Sequence, residues 1–134
     1  MVRLSKKVEY GLIAIRHVAT KHHGELATAK EIADAYGIPF ETLAKVLQRL
    51  TKAGLVASMQ GVRGGYALAR RPEEIQVSAI INAIEGTRPV IAQCLSEGPD
   101  SCVVFNSCTI KSPLTKVQAN IEKAFSTMTL LEIV

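Results

Sequence analysis

The chain has 134 residues, 48% of them apolar, enough for one domain with a sizeable core. Aromatics make up only 4% with no Trp, so that core must be built of Ile, Leu, Val and Ala, and the balance of 16 Lys and Arg over 12 Asp and Glu gives a formal charge of +4. That mild excess permits an anionic partner without demanding one. No apolar run reaches the ~18 residues of a membrane span, and the basic start lacks a secretory signal, so a cytoplasmic protein with reduced thiols is expected.

The first predicted element is a helix over 5–23. Ser5 can cap it, Val8, Leu12, Ile15, Val18 and Ala19 recur at helical spacing, and Gly24 ends it. A second helix starts at Thr28, where Thr28-Ala29-Lys30-Glu31 reads as a capping box, and runs to about Tyr36 before the turn at Gly37. A third follows Pro39, a residue suited to a first helical turn, with Phe40, Leu43, Leu47 and Leu50 as its buried face and Gly54 as its stop.

The period then changes. Leu55 to Gln60 is a short strand, Gly61-Val62-Arg63-Gly64-Gly65 is a turn, and Tyr66 to Ala69 is a returning strand. Helix–turn–helix followed at once by a Gly-rich hairpin is a winged-helix arrangement. Ser78 is expected to cap a further helix with Val77, Ile80, Ile81 and Ile84 on one face. Residues 86–111 are irregular, a length usually reserved for functional loops. The last helix starts at Ser112-Pro113, and Leu114, Val117, Ile121, Ala124 and Met128 form one narrow seam. Such a seam suits pairing with a second copy; the alternative is packing on the first helix of the same chain.

On the third helix the face opposite the leucines carries Glu41, Lys45, Gln48 and Lys52, flanked by Thr42 and Arg49. Lys and Arg neutralise phosphates, while Gln and Arg can meet base edges with two hydrogen bonds. A charged face is also what any solvated helix shows. The wing shifts the balance, because Arg63 at its tip can enter a narrow minor groove and turn geometry leaves it no other purpose. Thr28 and Lys30, at a helix N-terminus, are phosphate candidates.

Three cysteines remain, spaced Cys94-x7-Cys102-x5-Cys108. Zinc sites favour tight CxxC pairs, and none is present. Iron–sulfur clusters take thiolates at wider spacing, and the loop around these cysteines is mostly uncharged. Three free thiols are the plain alternative, but free cysteines are usually scattered in a core. His17, His22 and His23 are the remaining soft donors; His22 and His23 stand at a helix end, where imidazole suits the helix dipole. No motif aligns a nucleophile with a base, and no Gly-rich nucleotide loop joins a strand to a helix. An enzyme is not expected.

Arg3-Leu4-Ser5-Lys6, Glu9-Tyr10-Gly11-Leu12, Glu31-Ile32-Ala33, Leu50 to Val56, Gly64 to Ala69 and the late cysteine triplet resemble the IscR, NsrR and RirA group of bacterial winged-helix regulators across essentially the whole chain. The cysteine spacing is most similar to RirA-like and Suf-assembly regulators. The resemblance implies homodimers on palindromic promoter sites of double-stranded DNA, with affinity set by an iron–sulfur cluster, 4Fe–4S or 2Fe–2S, on the three cysteines. Some members complete the coordination with an acidic residue from the partner's first helix; Glu9 matches that position, with a solvated helix residue as the alternative. IscR uses a His three residues past its last cysteine, where this chain has Lys111. Gln60, Glu41 and Ala44 depart from the family's usual wing and recognition helix, so no promoter sequence carries over.

The expected fold is mainly α with a small β-hairpin: a winged helix-turn-helix domain over 1–86, a cysteine loop over 87–111, and a dimerisation helix with its tail over 112–134. The expected function is a dimeric iron–sulfur-sensing transcription regulator of iron, cluster-assembly or redox-stress genes. Its rival is a cluster-free regulator switched by thiol oxidation.

Overall fold

Ser5 opens the first helix as expected, its hydroxyl accepting from the amide of Val8 at 3.3 Å. The structure is a computed structural model that describes residues 4–22, 24–86 and 104–134. Helix α1 spans Lys6–Ala19 and so stops short of the predicted end at 23. Thr20 is the cause: its hydroxyl donates to the His17 carbonyl at 2.7 Å, competing with continued helix. Val8, Gly11, Ala14, Ile15 and Val18 are buried, whereas Leu12 and Ala19 are only partly covered.

Helix α2, Ala29–Tyr36, begins where Thr28 accepts from the amide of Glu31 at 3.0 Å. The returning half of the expected capping box is not formed, because the Glu31 carboxylate turns to α1 instead. Gly37, at φ 68°, closes the helix with its amide on the Ala33 carbonyl. Helix α3, Phe40–Lys52, buries Leu43, Val46, Leu47 and Leu50. Phe40, expected in this stripe, is 54% exposed, and Val46 takes its place.

Strands β1, Val56–Met59, and β2, Gly65–Leu68, pair antiparallel with Val56 opposite Leu68 and Met59 opposite Gly65. The turn needs its glycines. A Cβ on Gly64 would lie 2.5 Å from the Met59 carbonyl oxygen, which no side-chain adjustment relieves. Ala27 and Tyr66 then exchange main-chain hydrogen bonds of 3.0 and 2.7 Å, fastening the hairpin to the entry of α2.

Helix α4, Val77–Glu85, buries Val77, Ile80, Ile81 and Ile84. Its cap position is Gln76, not Ser78. The first helical amide, on Val77, is already taken by the Met128 carbonyl at 2.9 Å, so the helix starts earlier without a side-chain cap. A short 3-10 turn at Phe105–Ser107 precedes helix α5, Lys111–Thr127. Gln118 is the buried residue of α5, which packs mainly on α4 within this chain. The chain then returns: Leu130 donates to the Ile75 carbonyl at 2.8 Å and is itself fully buried, and Arg16 Nε reaches the Ile133 carbonyl at 2.8 Å. The whole is mainly helical with one small hairpin, the expected class. Among the described residues no helix is long and apolar enough to cross a membrane.

Candidate nucleic-acid interface and cysteine centre

With its leucines turned into the core, α3 leaves Glu41, Lys45, Gln48, Arg49 and Lys52 exposed, and Thr42 half-buried beside them. The predicted face is therefore assembled as one surface. Lys45, Gln48, Arg49 and Lys52 line, with Ala53 and Ala83, an open groove of about 620 Å³ between α3 and α4. Among the described residues three cations and no carboxylate border it, which suits a polyanion whose charge density is fixed along its length. Arg49 is held: its Nη1 donates to the Ile84 carbonyl at 2.9 Å.

A second groove, about 300 Å³, lies between the start of α2 and the wing. Thr28 and Ala29 form one side, and Ser58, Gln60, Gly61 and Gly64 are among the residues on the other. Ser58, exposed on β1, was not singled out in the sequence, and Gln60, exposed just past β1, was noted there only as a departure from the family's usual wing. Lys30 pairs with Asp34 at 3.0 Å across one helical turn, a solvent-exposed pair that yields easily to a stronger anion. Arg63 stands exposed at the wing tip, next to a fully exposed Val62.

Sequence reading missed the side chains that hold α2 against α1. His17 donates from Nε2 to Glu31 at 2.5 Å, and its Nδ1 lies 2.8 Å from the Tyr36 hydroxyl. Lys21 Nζ meets the same Glu31 oxygen at 2.7 Å. Hydrogen bonds from Lys21 and then from His17 hold the Glu31 carboxyl below its ordinary value, and the bond to Glu31 raises Lys21. Both ring nitrogens of His17 are thus occupied, which removes it as a soft ligand; His22 is exposed and His23 lies outside the described residues. The local signal was weak, since His17 and Glu31 are separated by a turn and a bend.

Of the three cysteines, Cys94 and Cys102 lie outside the described residues. Cys108 is a half-buried free thiol just after the 3-10 turn and before α5. Glu9, in the first turn of α1, pairs with Lys6 at 3.0 Å. Among the described residues no three His, Cys, Asp or Glu side chains converge on one point. The donor set still fits an iron–sulfur group in its chemistry, since such clusters take cysteine thiolates, and three leave one position for another donor. Leu114 and Ile121 on α5 are half-buried, and Val117, Ala124 and Met128 are exposed, so the described residues leave much of the seam uncovered.

The profile of the Rrf2 family, described as an iron-dependent transcriptional regulator, matches residues 4–134. The chain is 33% identical over 133 residues to the HTH-type transcriptional regulator NsrR of Oceanobacillus iheyensis, covering 99% of this chain and 90% of that one. Among solved structures it is similar to T. potens IscR, at TM-score 0.76 and 30% identity over 98% of this chain and 85% of that one. It is also similar to Staphylococcus aureus CymR in an oxidized form, at TM-score 0.73 and 26% identity over 96% and 92%.

Proposed function

The chain belongs to the Rrf2 family of transcriptional regulators, and we propose that within it this protein senses iron or redox status through an iron–sulfur cluster on Cys94, Cys102 and Cys108. It is a DNA-binding regulator and not an enzyme, as its named relatives are. The observation that carries the finer reading is the cysteine triplet itself, gathered in one stretch between α4 and α5. A bound cluster would supply a redox-active centre that is lost under oxidants, nitric oxide or iron shortage. The residues do the rest. Holding three thiolates together restrains the stretch that joins α4 to α5, and Glu9 of the partner's first helix is the candidate fourth donor.

The protein acts as a homodimer through Leu114, Val117, Ile121, Ala124 and Met128, which places two α3 helices on one palindromic site. In this reading Lys45 and Lys52 neutralise phosphates, Gln48, Glu41 and Thr42 meet base edges, Arg63 enters the minor groove, and Thr28 and Lys30 anchor the DNA backbone beside it. The groove between the start of α2 and the wing supports this division, because the two elements that would straddle one strand are fastened together through Ala27 and Tyr66.

One observation favours a second reading. A similar solved structure is of a CymR in an oxidized form, and Cys108 is a half-buried free thiol, so a cluster-free thiol switch uses the same residues. Anaerobic purification separates the two. The cluster reading expects brown protein with visible absorbance, iron and acid-labile sulfide, all lost in Cys94→Ala, Cys102→Ala and Cys108→Ala with the helical spectrum retained. Colourless protein with three titratable thiols and no sulfide would establish the thiol switch instead.

A further inference from the structure

Arg49 has the composition of a base reader and the geometry of something else. Its Nη1 donates to the carbonyl of Ile84, in the last turn of α4. The last four carbonyls of a helix have no partner inside it. Gly86 satisfies that of Asn82, and Arg49 satisfies that of Ile84 from a different helix, placing a cation at the negative end of α4.

Three helices converge at this residue. The Ile84 side chain is buried and fills the space where Gly11 of α1 has no Cβ: one built there would lie 2.0 Å from Ile84 Cδ1 and 3.4 Å from Val46 Cγ1 of α3. The N-cap Ser5 of α1 also donates to the carboxylate of Glu85. The end of α4 is therefore fixed to α1 by close packing and to α3 by one guanidinium. By contrast Lys45, Gln48 and Lys52, on the same side of α3, have no partner among the described residues and are free to meet DNA. A fork anchored on α4 is not presented outward for two-bond recognition of a base.

We propose that Arg49 is a positioning residue that sets the pitch of α3 against α4, so that it governs how well α3 seats on DNA without reading a base. The inference rests on α3 being the helix that enters the groove. It replaces the base-edge role expected of Arg49 from the sequence.

The test uses the full-length protein with Arg49→Ala and Arg49→Lys. Without DNA, hydrogen exchange should rise about tenfold at the last-turn amides of α4 in Arg49→Ala, with α1 and α2 amides unchanged, and return toward wild type in Arg49→Lys, which keeps a donor. Unchanged exchange in Arg49→Ala would overturn the proposal whatever DNA does. In a selection from random duplexes, Arg49→Ala should weaken binding about tenfold with the preferred sequence and salt slope both kept, and Arg49→Lys should recover most of the affinity. Lost preference at one base pair, unrescued by Lys, would make Arg49 a base reader; a shallower salt slope would make it a phosphate contact. Failure of wild type to select any sequence would remove α3 as the reading helix, and the exchange arm would still decide whether Arg49 holds α4.

Discussion

Glu31 is a single carboxylate shared by His17 of the preceding helix and Lys21 just past that helix's end. Its folded pKa is lowered from 4.5, first by the bond from Lys21 and then by that from His17. A depressed carboxyl contributes stability that is complete above its unfolded value and lost as pH falls through the folded one. Lys21, raised above 10.5, behaves oppositely, contributing below that value and losing it as pH rises through the raised one. Glu31→Gln should thus lower stability by about 1 kcal/mol at pH 7, less than a buried charged hydrogen bond because the site is a third exposed and screened. Urea titrations should show the difference from wild type shrinking below pH 4.5. A gap that does not shrink as pH falls would point to packing instead of charge.

Helix α3 shows where periodicity misleads. The steps from Phe40 to Leu43, Leu47 and Leu50 make a narrow seam, yet α3 packs on α1, α2, α4 and β1 and needs a wider stripe. Val46 supplies the extra width. Side chains lean toward a helix N-terminus, so Phe40 in the first turn projects past the end of the core. Val46→Ala should cost about 2 kcal/mol for the two carbons unburied, and Phe40→Ala within about 0.5 kcal/mol; thermal or urea unfolding checks both. The helices, the hairpin and the exposed face of α3 were legible in the sequence because each repeats locally. The Ala27–Tyr66 bridge, the Glu31 cluster and the Arg49 contact were not, since each joins residues far apart whose types fit many other roles. On α5, Val117 is 47% exposed. On the proposed pairing of two copies through this seam, Val117→Asp should raise the dimer dissociation constant more than about 100-fold by burying an unpaired charge, seen as monomer in sedimentation, with helix content unchanged; equal sedimentation of variant and wild type would remove the seam from the interface.

Across the whole molecule, the residues after α5 are part of the core that α1 and α4 build. Leu130 is fully buried and Ile75, whose carbonyl it meets, is fully buried too. Leu130→Ala should cost about 2–5 kcal/mol and expose the start of α4 to proteases, read by urea unfolding and by mapping the first cleavage. The same clip has an evolutionary side. Everything between Ile75 and Leu130, all three cysteines included, is one loop closed by main-chain bonds. Loop-closure entropy grows only with the logarithm of length, about 0.6 kcal/mol for each doubling. Insertions or deletions between α4 and α5 therefore cost little so long as the clip stays shut. On the function proposed above, such a chain could gain, respace or lose ligands there, and so change what it detects, while the proposed DNA-facing surface is inherited intact.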